Sequence, residues 1–380
     1  MQRRYAARAA LVPGLLLAVL AAGCSADEDD PAPVADPGGG ASASGGASPS
    51  GGTRPSSSAG SSDPVIPTVV EAVERLLEWE EGEVTDSTVV QGDPWRLVVG
   101  DRGSAATLTG PDGSSEVPAG KDRRITDAFL TTTHAVVVAQ DKAETRPQQV
   151  TVVDLASGER SRITDPPTGP GGPWSVHGET VAYATYRPGS DYCLATHDLA
   201  SGTGEKGWCA PKRHGFSNVL VSDAGTSMMT FDAKRPVSCR PLVDVSGKEV
   251  TPLEGVPECK GWDVVATDHG HVFSTVPKEN QVESGQFFAV HDGSWYALGP
   301  GATGTLVWCG DSAYFTRDAQ RKDGKAALLR WTPDAELEVV YTSPGRGEAF
   351  LTTPSCSGNM LTVTALGPGG DEQVSATVPG

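Results

Sequence analysis

The chain is 380 residues long and carries 46 Gly and 29 Pro, so about one residue in five bends or breaks regular structure, which excludes a coiled coil or helix bundle over most of its length. Its 48 acidic residues outnumber 30 basic ones for a net charge of −18. The Lys and Arg are scattered rather than gathered in runs, which argues against nucleic acid as a partner. The one long apolar run, Leu11 to Ala22, is interrupted by Pro13 and Gly14 and is too short to span a bilayer as a folded helix. An integral membrane protein is therefore not expected.

The chain opens with Arg3, Arg4 and Arg8, followed by the apolar stretch to Leu20 and then by Ala21-Ala22-Gly23-Cys24. That order is a secretory signal with small residues at the cut site. It also resembles the lipobox of bacterial lipoproteins, with Ala21 standing where Leu is usual. The resemblance implies a signal peptide over 1–23 and a mature N-terminus at Cys24, carrying lipid such as palmitate and held on the extracytoplasmic side of the cell membrane. The alternative is an ordinary cleaved signal with Cys24 incidental, which leaves an unpaired thiol in a linker.

Residues 24–64 are Ser, Gly, Ala, Pro and Asp with almost no large apolar side chain. Such a stretch cannot bury enough surface to offset its ordering entropy and reads as a disordered tether with a reach of about 35 Å. The acidic run Asp27 to Asp30 reads as a solvated part of that tether. Over 65–87, Thr68 and Glu71 fit a capping box, and Val69, Val70, Val73, Leu76 and Leu77 recur at helical spacing. A short amphipathic helix is expected there. The competing reading is a strand, Leu76 to Glu80, lent to the last repeat.

From 88 to 380 the sequence repeats with a period of about 44 residues. One unit is a short apolar strand, a tight turn and a second apolar strand, as in Ala128-Phe129-Leu130 with Ala135 to Val138, or Val264-Val265-Ala266 with His271-Val272-Phe273. Seven such pairs occur. A second unit interleaves with the first: Val152-Val153-Asp154-Leu155-Ala156-Ser157-Gly158 and Ala195-Thr196-His197-Asp198-Leu199-Ala200-Ser201-Gly202 are nearly the same phrase. Four short strands per repeat, joined by hairpin turns, make a propeller blade. The unit resembles the TolB-like, WD40-like and quinoprotein-like propeller superfamily, the Asp-Leu-Ala-Ser-Gly turn carrying the likeness. The fold class implied is all-β, a seven-bladed β-propeller of four-stranded blades preceded by the short helix and the tether. The likeness concerns architecture only, because such folds host unrelated functions.

Beyond Cys24 six cysteines remain, an even number that suits disulfides in an exported chain. The blade register pairs them. Cys193 starts a third strand and Cys209 ends the fourth; Cys239 and Cys259 flank the same pair in the next blade; Cys309 and Cys356 sit in first-to-second turns of neighbouring blades. The expected bridges are 193–209, 239–259 and 309–356.

Chemistry is harder to find. His269-Gly270-His271 puts two imidazoles on one side of a strand without a third ligand in view, and reads as a turn pair. No Gly-x-Ser-x-Gly elbow, phosphate loop or dinucleotide fingerprint occurs in the folded part, so no catalytic residue, metal or cofactor is assigned. Ser222-Asp223-Ala224-Gly225-Thr226 reads as a structural turn. Charge is more informative: most basic residues beyond the tether fall in the loops from second to third strand and between blades, which emerge on one face. Arg123, Arg124, Lys212, Arg213, Lys234 and Arg235 are the candidate binding residues on it. The expected function is a non-catalytic, membrane-anchored envelope lipoprotein that binds or scaffolds a protein or glycan, an anionic one if this face carries the contact. The alternative is a propeller enzyme, a hydrolase or lyase acting on envelope glycans or peptides, with Asp127 and Asp263 beside the inner strands as the nearest acids.

Overall fold

The computed structural model describes residues 66–380 apart from 83, 85–87, 188–190, 233–238, 258, 279–280, 346 and 369. The leader, Cys24, the tether, Lys234 and Arg235 lie outside the described residues. Within them the repeats form seven sheets, spanning 88–118, 123–162, 174–209, 214–252, 261–301, 307–342 and 350–377. Each of the first six is an antiparallel meander of four strands that runs from the axis outward in chain order. The molecule is an all-β, seven-bladed propeller.

The burial pattern of blade two explains why its second strand is its most apolar. His134–Asp141 is buried at every position but the first, whereas the outermost strand of the same blade, Arg160–Arg162, is exposed throughout. A strand packed on both faces needs apolar side chains on both faces, so it reads as a continuous run rather than an alternation. Those side chains meet between blades. Leu97 and Leu108 pack with Ala135 and Val137 of the next blade, Val136 and Val138 with Val181 and Tyr183, and the stacked rings of Phe287 and Phe315 join blades five and six at 4.0 Å. The core is thus a circle of inter-blade seams rather than one central mass.

The Asp-Leu-Ala-Ser-Gly turns are dictated by backbone geometry. Asp154 Oδ1 accepts from the Ser157 N–H and hydroxyl, the Gly158 N–H closes back on the Asp154 carbonyl, and Gly158 stands at φ 72°. The turn at Asp198 and Gly202, φ 66°, repeats the arrangement. Asp supplies the acceptor and Gly the left-handed conformation that side-chain-bearing residues resist.

The helix expected before the first blade is not there. Thr68–Val69 pairs in parallel with the outer strand of blade five, Val73–Glu74 with that of blade six, and Glu80–Gly82 antiparallel with the outer strand of blade seven. This last strand completes the seventh blade, a few residues beyond the Leu76 to Glu80 alternative. The edges of blades five to seven offer rows of backbone donors and acceptors, and the segment satisfies them: the N–H groups of Val70, Arg75 and Leu77 donate to Ala297, Val339 and Val340. The inward residues are Val70 and Ala72, then Leu77 and Trp79, which is period two on each side of a bend. Trp79 anchors the segment by donating from Nε1 to the Val340 carbonyl at 2.8 Å and meeting the Tyr341 ring edge-on.

Three disulfides join Cys193 to Cys209, Cys239 to Cys259 and Cys309 to Cys356, as the blade register requires. The first two staple the ends of strands three and four within one blade or across its flanking loops. The third ties blade six to blade seven. Among the described residues no helix is long and apolar enough to cross a membrane.

Candidate functional site

The strand order creates two unlike faces with a cavity between them. On the loop face emerge the connections from second to third strand and those between blades. On the turn face lie the short turns within the inner and the outer hairpins. The axis is occupied by a cavity of about 290 Å³ to which all seven innermost segments contribute, among them Val90, Phe129, Trp174, Val176, Leu220, Leu306, Trp308 and Pro354. Its wall is mainly apolar.

One buried acid faces this cavity. The innermost strands of blades two, four and five are each irregular midway, between Ile125 and Asp127, Ser217 and Leu220, and Gly261 and Val264. Such bulges re-aim side chains. In blade five the bulge delivers Asp263 to the cavity wall, 3% exposed. Burial pushes its carboxyl up to about 6, against hydrogen bonds from the Gly304 N–H at 2.9 Å and the Ser274 hydroxyl at 2.8 Å, both to Oδ2. Asn218, at φ 50° in the blade-four bulge, donates from Nδ2 to Oδ1 at 3.3 Å and to the Trp262 carbonyl at 3.0 Å. Asp263 therefore knits together blade four, blade five and the segment entering blade six. Asp127, the other acid named from sequence, is also raised by burial but the cavity is walled by its neighbours Ala128 and Phe129 rather than by Asp127 itself. The structure does not assemble the two into a carboxylate pair.

The described residues among the expected loop-face cations have unequal tasks. Arg123 donates from Nη1 to the carbonyls of Ala139 and Pro147, both at 3.0 Å, and so braces the loop that follows the second strand. Arg124 forms an exposed ion pair with Glu144 at 3.0 Å. In the same loop Asp141 is buried, which raises its carboxyl, yet donors from the Arg146 and Thr145 N–H groups, the Gln140 amide and the Arg146 charge outweigh that and hold it at about 2. Lys212 and Arg213 stand exposed in the turn between blades three and four, Arg213 at φ 67°. The two pairs share a face, and blade three separates them. Arg317, also on this face, is committed to the carbonyls of Pro300 and Leu298.

The turn face is richer in specific contacts than the sequence reading allows. His134 of blade two lies 3.2 Å from Glu179 of blade three, His177 of blade three 3.0 Å from Asp223 of blade four, and His271 of blade five 2.8 Å from Asp244 of blade four. Asp223 also accepts from Trp308 Nε1 of blade six at 3.2 Å, across the mouth of the axial cavity. Partial burial raises the Asp223 carboxyl, and the His177 and Trp308 donors reverse the balance and lower it. Asp223 is thus a junction of three blades as well as a turn residue. The sequence carried a signal for this, since His and Trp at the ends of inner strands are not demanded by turn geometry. The pair His269 and His271 splits: His271 serves Asp244, while the His269 ring stacks on that of His291.

No protein-family model matches the chain, and no curated protein matches it. Solved structures do. The β-propeller domain of the Trilobed protease from Pyrococcus furiosus, described as having an open velcro topology, superposes with a TM-score of 0.50 at 9% identity, over 82% of this chain and 96% of its own. The chain is a β-propeller. TolB from Acinetobacter baumannii resembles the propeller with a TM-score of 0.39 at 12% identity, covering 77% of this chain and 79% of that one. An oligogalacturonate lyase in complex with manganese gives 0.44 at 14%, covering 79% and 78%. At such identities a likeness speaks to fold alone, and function has to be argued from the chain's own residues.

Proposed function

We propose that this chain is a lipid-anchored propeller on the extracytoplasmic side of a bacterial cell membrane, binding or scaffolding an envelope protein or glycan without catalysing a reaction. The observation that carries the reading is the pairing of all six cysteines beyond the tether into three disulfides, which suits a chain folding in an oxidising compartment. Cys24 is the anchor. The partner meets the loop face, where Lys212 and Arg213 are exposed in a turn whose backbone does not demand cations, and an anionic surface suits it. Lys234 and Arg235 belong to the same proposed patch.

Two experiments test this. Cys24→Ser should abolish labelling by palmitate and release the chain from the membrane fraction; a variant that stays labelled and sedimenting overturns the anchor. Crosslinking in cells should capture a discrete partner that is lost in the Lys212→Glu, Arg213→Glu double variant, and a partner retained unchanged would move the binding site off this face. One observation favours a second reading: Asp263 stands buried in the wall of the axial cavity, where burial pushes its carboxyl up to about 6, toward the range in which a general acid or base works. Turnover of an envelope glycan or peptide that disappears in Asp263→Asn would replace the binding reading.

A further inference from the structure

Two hairpin turns of blade five meet on the turn face. One, at Asp268 and His269, joins the innermost strands, and the other, at Asp292 and Gly293, joins the outer pair. The Asp292 N–H donates to the His269 carbonyl at 2.8 Å, which locks one turn against the other. The imidazoles of His269 and His291 then stack at 4.6 Å, and the Asp292 carboxylate reaches both: Oδ1 is 3.2 Å from His269 Nδ1, and Oδ2 is 3.6 Å from His291 Nε2. All three residues offer ligand atoms within 4.8 Å of one another. Asp292 and Gly293, at φ 48° and 76°, are what the tight turn requires. Neither histidine is.

We propose that His269, His291 and Asp292 form a site for one divalent transition-metal ion of the zinc class. A tetrahedral ion with bonds of about 2.0–2.1 Å keeps its ligand atoms about 3.3 Å apart; each imidazole already lies near that distance from one of the two Asp292 oxygens, and the three ligand atoms need draw together only from within 4.8 Å. Two imidazoles and a carboxylate select zinc-like ions over calcium or magnesium, which take oxygen ligands. Three protein ligands leave one position open. Beside them lies a cleft of about 90 Å³ walled by Asp223, Asp268, Asp311, Trp308 and Trp331, with room for a water as fourth ligand and carboxylates that favour a cation. His269 was in view from sequence, but its co-ligands come from the neighbouring hairpin and not from His271. The site lies on the face opposite the proposed partner surface and stands independently of that reading.

The test is calorimetric titration of the full-length chain, free of any affinity tag and stripped with a chelator, with zinc chloride and with calcium chloride as the contrast. One zinc per chain should bind, with calcium failing to compete. His269→Gln, His291→Gln and Asp292→Asn should each weaken zinc binding by about tenfold or more, while His271→Gln leaves it unchanged. Because the Trp331 ring lies edge-on to His291 at 6.4 Å, Cu²⁺ should quench tryptophan fluorescence in the parent chain and much less in Trp331→Phe. Zinc binding that persists undiminished in both histidine variants, or no binding up to millimolar zinc, overturns the proposal. Equal melting temperatures of parent and variants without metal separate loss of the site from loss of the fold.

Discussion

The turn face and the loop face are closed by different chemistry. Turns on the turn face are two to a few residues long, and their geometry asks for Asp as an acceptor and Gly at positive φ, as at Asp154 and Gly158 or Asp292 and Gly293. Much of the acidity of that face follows from turn stereochemistry. The loops opposite are longer, carry Arg and Lys that no turn requires, and are stapled by two of the three disulfides. Residues that a backbone does not demand are the ones free to serve a partner or an ion, which on one face are Lys212 and Arg213 and on the other His269 and His291.

The sharpest way to separate the faces is to unstaple each. Cys309 and Cys356, on the turn face, are separated by 47 residues, and Cys193 and Cys209, on the loop face, by 16. Loop-closure entropy makes the longer closure worth about 4 kcal/mol and the shorter about 3 kcal/mol. Replacing each pair by Ser and measuring denaturant unfolding should give losses in that order. The reverse order would show that the loop-face bridge does more than constrain the unfolded chain.

Next in size is the acid between the faces. Asp263 has a folded-state pKa near 6, above its unfolded value near 4, so the folded chain holds the proton more tightly. Its contribution to stability is therefore greatest below about pH 4 and declines as pH rises through about 6, by about 3 kcal/mol in all. Asp263→Asn should remove that slope. Melting curves of parent and variant that fall in parallel from pH 4 to 7 would show that the slope comes from other groups.

How much of this was legible follows from what each element answers to. Blade number, the Asp-Leu-Ala-Ser-Gly turns and the disulfide pairs were readable because local turn chemistry and a fixed repeat determine them. The segment from Thr68 to Gly82 was not. Its Val and Leu fit a helical spacing, and only the unpaired edges of blades five to seven, more than 200 residues away in sequence, convert it to strands. Asp263 was named from sequence, but its partners and the histidine contacts were not legible for a related reason: bulges re-aim Asp263 and Asn218, and the His177–Asp223 and His269–His291 contacts each join different hairpins.

A smaller effect tests whether turn-face acids are structural. The Ser157 N–H and hydroxyl hold the Asp154 carboxyl below the usual range, and the Ser201 hydroxyl and N–H do the same for Asp198. A lowered folded pKa contributes stability above the unfolded value near 4 that is lost as pH falls through the folded one. Asp154→Ala and Asp198→Ala should each lower Tm by a few degrees at neutral pH, with the difference from the parent shrinking in acid. Variants that melt with the parent at pH 7 would detach the acidity of this face from its turns.

The smallest effect lies on the loop face. Arg124 and Glu144 form an ion pair with both side chains more than half exposed, 53% and 60%. Water screens such a pair and two long side chains lose freedom to form it, so its net worth is about 0.3 kcal/mol and fades with salt. Arg124→Ala should accordingly leave Tm within a degree of the parent, while Arg123→Ala, which strips the Ala139 and Pro147 carbonyls of their donor, should cost about 1 kcal/mol. That contrast between adjacent arginines divides the basic residues of this face into those that hold a loop and those available to a partner. If Arg124→Ala proved as costly as Arg123→Ala, the face would be structural in both, and Lys212 and Arg213 would be left as its only candidates for binding among the residues tested.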